Sequence, residues 1–327
     1  MGLLGAARIT PKALVEPAVG LVDVALVAAR DLERARAFAA ENRVERACGS
    51  YDELIADPTI DLVYVALPAA LHLPWTLRAL EAGKHVLVEK PFGLDRAECE
   101  LAVETARRER RFLAEAQHSR WHPLRSAFTD ALERIGPLER VDLVFDGSIA
   151  EGDIRLDPRL GAGVMTDFGC YLAEWADWFS EESWSVEAAS AIERPRGVDR
   201  KMTALLRGAT TGLAAHLHCD MRAGTSFRAF IEVVGERGRV LFDNPLATAG
   251  SSLSLRMQGR PPEPTSPGEE TTYRRQLARV VAFLERGERD VAGEDKIVAT
   301  QALLDAVYRR AGLPTRKELA DASSAAD

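Results

Sequence analysis

The sequence predicts an α/β fold: an N-terminal doubly wound parallel sheet over residues 1–118, then an α+β domain over residues 119–327 with an open, mainly antiparallel sheet. Two observations predict it. In the first third, short aliphatic runs alternate with amphipathic stretches of helical period, and the runs are apolar on both faces, as strands covered on both sides by helices must be. After residue 118 the regular intervening helices stop, and longer segments alternate apolar with polar residues, the pattern of strands with one covered face.

Gly2–Gly5 reads as a short strand ending in glycine, and Thr10-Pro11 supplies the first turn of the helix after it. Val22–Ala29 is β-rich and nearly all apolar, so it is the second strand, and Asp31 caps the helix that follows. Ser50 with Glu53 makes a capping box for a short helix before Asp57-Pro58. Asp61–Pro68 is the next buried strand, and the amphipathic helix "PWTLRALEAG" stops at Gly83. The strand "VLVEKPFGL" then runs straight into Glu89, Lys90 and Pro91. Asp95 with Glu98 caps a helix to about Arg110, and Phe112–Ala116 completes the sheet. Ligands bind beyond the carboxyl ends of such strands, which puts Lys90 on the ligand side. A solvated strand-end lysine before a turn is the plain alternative. A Lys-Pro bond is also one that can be cis.

In the second domain the strands are read at 138–150, 184–193, 201–208, 210–219 and 230–242, the last with a Gly235–Gly238 hairpin turn. Leu213, Ala215, Leu217 and Cys219 share one face, and His216 and His218 the other. A helix begins near Val164 with Leu172, Trp175, Ala176 and Phe179 as its buried stripe. Asp167 and Tyr171 are four apart and so stack on one face of it. The small run Gly161-Ala162-Gly163 leaves room for a ligand at its start. Helices in 273–287 and 295–310 cover the remaining core, residues 259–270 form a flexible Pro-rich loop, and residues 320–327 are an unordered tail.

The composition, 46% hydrophobic and 28% charged, is that of an ordinary globular protein. The net charge of −8, with both signs interspersed, argues against a nucleic-acid surface but allows a local basic pocket. The cysteines are scattered without a C-x-x-C, which suggests a reducing, cytoplasmic setting. Arg8, Lys12 and Glu16 interrupt the N-terminus before a signal peptide's apolar region forms, and no apolar run approaches a membrane span. His118 with His122, and His216 with His218, have metal-pair spacings, but no carboxylate follows at a matching interval, so no metal is expected.

A nucleotide site is expected at the first turn. Gly5, Ala6, Ala7, Arg8 and Ile9 lie between strand and helix, although a strict G-x-G-x-x-G would need glycines at Ala7 and Thr10. Small residues still let the backbone approach a pyrophosphate at a helix N-terminus, and a plain tight turn is the alternative. The second strand ends Ala28-Ala29-Arg30 without the carboxylate that grips a ribose 2′-hydroxyl, and an arginine there suits a 2′-phosphate. Leu67, Pro68 and Glu89 join this cofactor edge with Lys90. His72, just past the strand ending at Pro68, is left between cofactor or substrate contact and a structural role.

These segments resemble a known family, the Gfo/Idh/MocA oxidoreductases. "GLLGAARITPKAL" is similar to the family's opening strand and glycine turn, with little chain before Gly5, so a start upstream of Met1 is left open. "LPAALH" resembles its P-N-x-x-H stretch with Ala69 in place of asparagine, and "VLVEKPF" its E-K-P motif. "RLDPRLGAGVMTDFGCY" resembles its G-G-G-x-x-x-D-x-G-x-[HY] motif with Ala162 as the middle residue, and "IEVVGERGRVLFD" its late hairpin. G-A-A-R, A-A-R-D and D-P-x-L-G are most similar to the branch holding dimeric dihydrodiol dehydrogenases and NADP-linked xylose dehydrogenases.

The resemblance implies hydride transfer between nicotinamide C4 and a secondary carbinol or ketone of a sugar, inositol-like or cyclic diol substrate. NADP(H) is the preferred cofactor and NAD(H) a possible one. It implies a homodimer or larger homo-oligomer formed through the open sheet face. Tyr171 is read as proton acceptor, with Lys90 anchoring the substrate hydroxyl and lowering the phenol pKa, since a neighbouring ammonium favours phenolate. Asp167 orients, Glu89 positions Lys90, and Arg120 with Trp121 lines the substrate cleft. The rival readings are an NAD-dependent glycosidase of the same fold and a non-enzymatic NADP-binding sensor.

Overall fold

The computed structural model describes residues 1–179 and 182–325. In chain order it begins with β1 (Gly2–Leu4), α1 (Glu16–Ala18), β2 (Leu26–Ala28), α2 (Leu32–Asn42), β3 (Arg46–Cys48) and α3 (Tyr51–Ala56). There follow β4 (Leu62–Val65), α4 (His72–Glu81), β5 (His85–Val88), α5 (Arg96–Glu109), β6 (Leu113–Glu115) and α6 (Arg125–Ile135). Next come β7 (Leu138–Asp146), α7 (Cys170–Ala176), β8 (Trp184–Glu193), β9 (Asp199–Gly208), β10 (Ala214–Asp220) and β11 (Arg228–Gly235). The chain closes with β12 (Gly238–Asp243), β13 (Ser252–Met257), β14 (Glu263–Thr265), α8 (Thr272–Arg286), α9 (Val291–Arg310) and α10 (Arg316–Ser324). These form two compact units, Met1–Gln117 with Tyr273–Ala299, and His118–Thr272 with Thr300–Asp327.

The first unit is a parallel sheet of order β3-β2-β1-β4-β5-β6, whose strand order reverses between β1 and β4. Leu4, Val63, Val65, Val86 and Val88 pack with Leu54 of α3, Leu80 of α4 and Val103 of α5. Leu3, Leu62, Tyr64 and Leu87 pack with Phe38 of α2 and with Leu277 and Val280 of α8. This corrects the expected division of the chain: residues 273–299 belong with the first unit. A parallel sheet must bury both faces, and α8 completes one of them while Ile297 of α9 adds to the other.

The helix starts follow their caps. Asp31 accepts from the Glu33 and Arg34 N–H groups, Ser50 from Glu53 and Asp95 from Glu98, each satisfying donors the first turn leaves open. Pro11 opens the π-helical segment Pro11–Val15 after the first turn. The strands are shorter than their apolar runs, Val22–Ala29 giving only Leu26–Ala28. The edge strand β3 was not anticipated, because three residues are too few for a periodicity.

The second unit has a sheet of order β14-β13-β12-β11-β7-β10-β9-β8, antiparallel except where β7 meets β10. Leu143, Leu217, Ile231, Val240 and Phe242 turn one face to a core shared with α6 and α7. The other face carries ion pairs, including Arg140–Asp142, Arg239–Glu232 and Arg228–Asp146. Three expectations are corrected here. The Pro-rich loop contains β14, where Pro264 is tolerated because an edge strand needs fewer ladder donors. Much of the expected tail is helical, since α10 runs to Ser324 from a Thr315–Glu318 capping box. The helix after Val164 has no simple stripe: every residue of α7 is buried, and Phe179 is only half-buried.

Candidate active site

On the first unit, the turn after β1 sits at the point where the strand order reverses, the usual ligand crevice of such sheets. Gly5 has φ +101°, and a Cβ there would lie 2.6 Å from the Ala66 carbonyl oxygen at the end of β4. Only glycine fits that close approach. Ala6 and Ala7 are half-buried, Arg8 and Ile9 are exposed, and the Thr10 hydroxyl is buried without a hydrogen-bond partner in the protein. A cavity of about 320 Å³ beside the turn is lined by Ala6, Ala7, Arg8, Arg34 and their neighbours.

Arg30 is exposed just past β2, and Ala29 donates its N–H to the Cys48 carbonyl at 3.3 Å. Arg34 was not anticipated. Its Nη2 donates to the Ala6 carbonyl at 2.9 Å, and its spacing of four from Arg30 across the helix start was the available signal. Burial raises the Tyr51 phenol while Arg30 and Arg34 both pull it down, so the two guanidinium groups share one neighbourhood. A glycine turn open to backbone approach, a buried hydroxyl and a group of arginines fit a phosphate-bearing cofactor.

Two strands along, Glu89 and Lys90 leave β5 at its carboxyl end. Tyr64 of β4 donates to Glu89 Oε1, and the Lys90 backbone N–H donates to Glu89 Oε2 at 3.2 Å. Burial and the Glu89 charge push the Tyr64 phenol well up, so it remains a donor. Glu89 thus holds the backbone at the start of its own loop. Tyr273, which the sequence did not single out, also lies near this pair: burial and Glu89 raise its phenol and Lys90 opposes them. The Lys90-Pro91 peptide is cis.

His72 is buried, with Nδ1 2.8 Å from the Pro91 carbonyl and Nε2 2.7 Å from the Leu67 carbonyl. Burial lowers its pKa against the pull of those carbonyls. A carbonyl oxygen only accepts, so the neutral ring donates to one of the two at a time, and His72 lies between the loops after β4 and β5.

On the second unit, Asp167 lies in a π-helical segment, Met165–Gly169, that continues into α7 with Tyr171 in its first turn. The π-turn was not foreseen; such turns recur at functional sites. Asp167 Oδ2 accepts from Arg155 Nε at 2.8 Å, and Arg155, raised chiefly by Asp167, also donates to Asp153. The Tyr171 hydroxyl lies 3.1 Å from His118 Nε2, and its ring meets Phe145 edge-on at 5.7 Å. Arg120 makes a bidentate pair with the fully buried Glu174, at 2.9 and 2.7 Å, which anchors it within this unit. Trp121 ends the short helical turn His118–Trp121 and is half-buried.

The small run before Asp167 does not leave the space expected of it. A Cβ on Gly163 would lie 2.1 Å from Asp199 Oδ1 and 2.9 Å from the Tyr308 hydroxyl. Asp199 Oδ2 accepts from the Met165 N–H at 2.8 Å, and Arg316 donates to the Ala162 carbonyl at 2.7 Å and to Asp199 at 3.2 Å. Arg316 also lies 3.9 Å above the Tyr308 ring. The glycines admit this buried cluster, which holds the start of the site helix.

Among the described residues, no three His, Cys, Asp or Glu side chains converge as metal ligands. His118 and His122 spend their ring nitrogens otherwise, His122 on the Leu124 N–H and the Ala247 carbonyl. No helix among the described residues is long and apolar enough to cross a membrane.

Comparison with known proteins agrees with this geometry. Residues 1–117 match the model of an oxidoreductase family with an NAD-binding Rossmann fold, and residues 131–241 match the GFO/IDH/MocA C-terminal domain. An NADP-linked D-xylose 1-dehydrogenase of Haloferax volcanii is 31% identical over 327 residues, covering 97% of this chain and 99% of that protein. A trans-1,2-dihydrobenzene-1,2-diol dehydrogenase of Sus scrofa is 32% identical over 254 residues, covering 76% of this chain and 75% of that protein. A 3-ketoreductase of Actinomadura kijaniata, solved with NADP and TDP-benzene, superposes with a TM-score of 0.88 at 28% identity, covering 96% of this chain and 97% of that one. With both halves matched and one relative aligned over nearly its full length, the chain belongs to the GFO/IDH/MocA oxidoreductase family and is an oxidoreductase.

Proposed function

We propose that this oxidoreductase is NADP-dependent and interconverts a secondary carbinol and its ketone on a sugar or cyclic diol. The observation that carries the reading is the placement of Lys90: it leaves the carboxyl end of β5 in the sheet that bears the Gly5 turn, its backbone tethered by Glu89. When bound, the nicotinamide supplies hydride chemistry at C4. Lys90 holds the substrate oxygen and favours the phenolate of Tyr171, which takes the hydroxyl proton. Asp167, fixed by Arg155, orients the polar end of the substrate. The relatives support the substrate class, since they include a D-xylose 1-dehydrogenase, a trans-dihydrobenzenediol dehydrogenase and a 3-ketoreductase. Structures of that ketoreductase include variants altered at a lysine and at a tyrosine, the residue types assigned here.

The test is cofactor reduction with a panel of aldoses, inositols, anhydro-sugars and trans-dihydrodiols. Turnover with at least one class is expected. Silence across the panel, combined with release of nitrophenol from a nitrophenyl glycoside, would replace this reading with the glycosidase one.

Arg30 is expected to select the cofactor by pairing with the 2′-phosphate. Charge-assisted contacts of this kind contribute roughly 1.5–3 kcal/mol, about one to two decades in affinity. Fluorescence titration should show NADPH binding more tightly than NADH, and Arg30→Ala losing NADPH affinity selectively. Equal affinities in the wild type would remove the assignment.

The face of the second unit's sheet opposite its core, which carries ion pairs such as Arg140–Asp142 and Arg239–Glu232, is expected to be buried in a homodimer. Light scattering at micromolar concentration should give at least twice the chain mass, and a clean monomer would refute it.

A further inference from the structure

The Tyr171 hydroxyl is the first member of a buried chain. It lies 3.1 Å from His118 Nε2, His118 Nδ1 lies 2.9 Å from Thr272 Oγ1, and Thr272 Oγ1 donates to the Leu246 carbonyl at 3.5 Å. His118 is 4% exposed and Thr272 1%. A carbonyl oxygen only accepts, so the last member fixes the direction of all the others. With the Thr272 hydroxyl donating to Leu246, its lone pair accepts Nδ1–H, the arrangement on which the relay rests. Nε2 is then bare and accepts from the phenol. The phenol proton points at His118, and the phenol oxygen keeps its lone pairs for another donor.

We propose that His118 is the proton relay behind Tyr171, an inference that rests on Tyr171 being the group that takes the substrate proton. In alcohol oxidation the carbinol C–H bond breaks with its electron pair, as hydride, going to the oxidised nicotinamide. The carbinol O–H bond breaks with its proton going to the Tyr171 oxygen. The original phenol proton moves to His118 Nε2, so the products are ketone, reduced nicotinamide and an imidazolium that later releases one proton to water. Reduction runs the same transfers backwards. On the elements around His118, Arg120 pairs with Glu174 and Asp167 with Arg155.

Oxidation requires neutral His118, so its rate should rise with pH through the imidazole range, about 6.5 for a free histidine, as a property of the Tyr171–His118 pair. His118→Phe, which keeps an aromatic ring in place, should lower turnover about a hundredfold, erase that limb and leave KM and NADPH affinity nearly unchanged. A structural role alone would lower activity without changing the shape of the profile. Nitrogen NMR of the cofactor-free protein gives a second readout: His118 should be the Nδ1–H tautomer, and Thr272→Val should shift it towards Nε2–H. An Nε2–H tautomer in the wild type, or an unchanged pH profile in His118→Phe, overturns the relay. Should Tyr171→Phe be inactive while His118→Phe keeps the wild-type rate and profile, only the relay fails. A fully active Tyr171→Phe would fail the reading beneath it.

Discussion

Lys90→Met is expected to reduce turnover about a hundredfold to ten-thousandfold, the usual consequence of losing an acid–base arrangement, while leaving NADPH binding nearly intact. The size of the effect separates two roles for a lysine at a strand end. An exposed, solvated lysine changes stability by less than about half a kcal/mol when replaced, and turnover hardly at all. A lysine that holds the substrate oxygen and favours the Tyr171 phenolate acts in the transition state, so its loss appears in kcat. Tyr171→Phe should behave alike, and the double variant should fall little further, because residues acting as one unit are not additive. Steady-state kinetics with a parallel fluorescence titration of NADPH check all three proteins. A fully active Lys90→Met enzyme would return this residue to the solvated role.

Arg316→Met is expected to destabilise the second unit by about 3–5 kcal/mol, as removing one partner of a buried ion pair does. Asp199 is fully buried and Arg316 is 1% exposed, so the carboxylate left behind has no water to replace the lost cation. Burial already pushes the Asp199 carboxyl up, with Arg316, the Met165 N–H and the Tyr308 hydroxyl pulling it down. A raised folded-state pKa means the folded chain holds that proton more tightly, so this group's contribution favours folding at low pH and is lost as pH rises through the folded pKa. Without Arg316 the carboxyl rises further. The deficit of Arg316→Met should therefore be largest near neutral pH and shrink as Asp199 protonates in acid. Urea unfolding at several pH values, followed by tryptophan fluorescence of Trp175 and its neighbours, measures it. A deficit that does not vary with pH would show that Asp199 is not the group left uncompensated.

The helix caps were legible because they are local. Asp31, Ser50 and Asp95 each bind an N–H two or three residues away, so spacing alone identifies them. Lys90 at a strand end was legible because an aliphatic run meeting Glu-Lys-Pro leaves few places for a charged side chain. Face alternation likewise predicted the buried set Leu213, Ala215, Leu217 and Cys219. The short strand β3 and the edge strand β14 escaped, since three residues carry almost no period and their pairing comes from neighbours distant in sequence.

By itself the sequence determined the two architectures, the turn at Gly5 and the place of Lys90 at the carboxyl end of a strand in the first sheet. Periodicity, capping and turn chemistry act over a few residues, so they are written in order along the chain. Tertiary structure decided which groups meet. It brought His118 to Tyr171 from 53 residues away and Thr272 to His118 from 154 residues away. It paired Arg155 with Asp167, and it filled the space beside Gly163 with Asp199, Tyr308 and Arg316. It also returned α8 to the first sheet. Each of these is a contact between side chains that only packing of the whole unit brings within reach, and spacing along the chain carries no record of it.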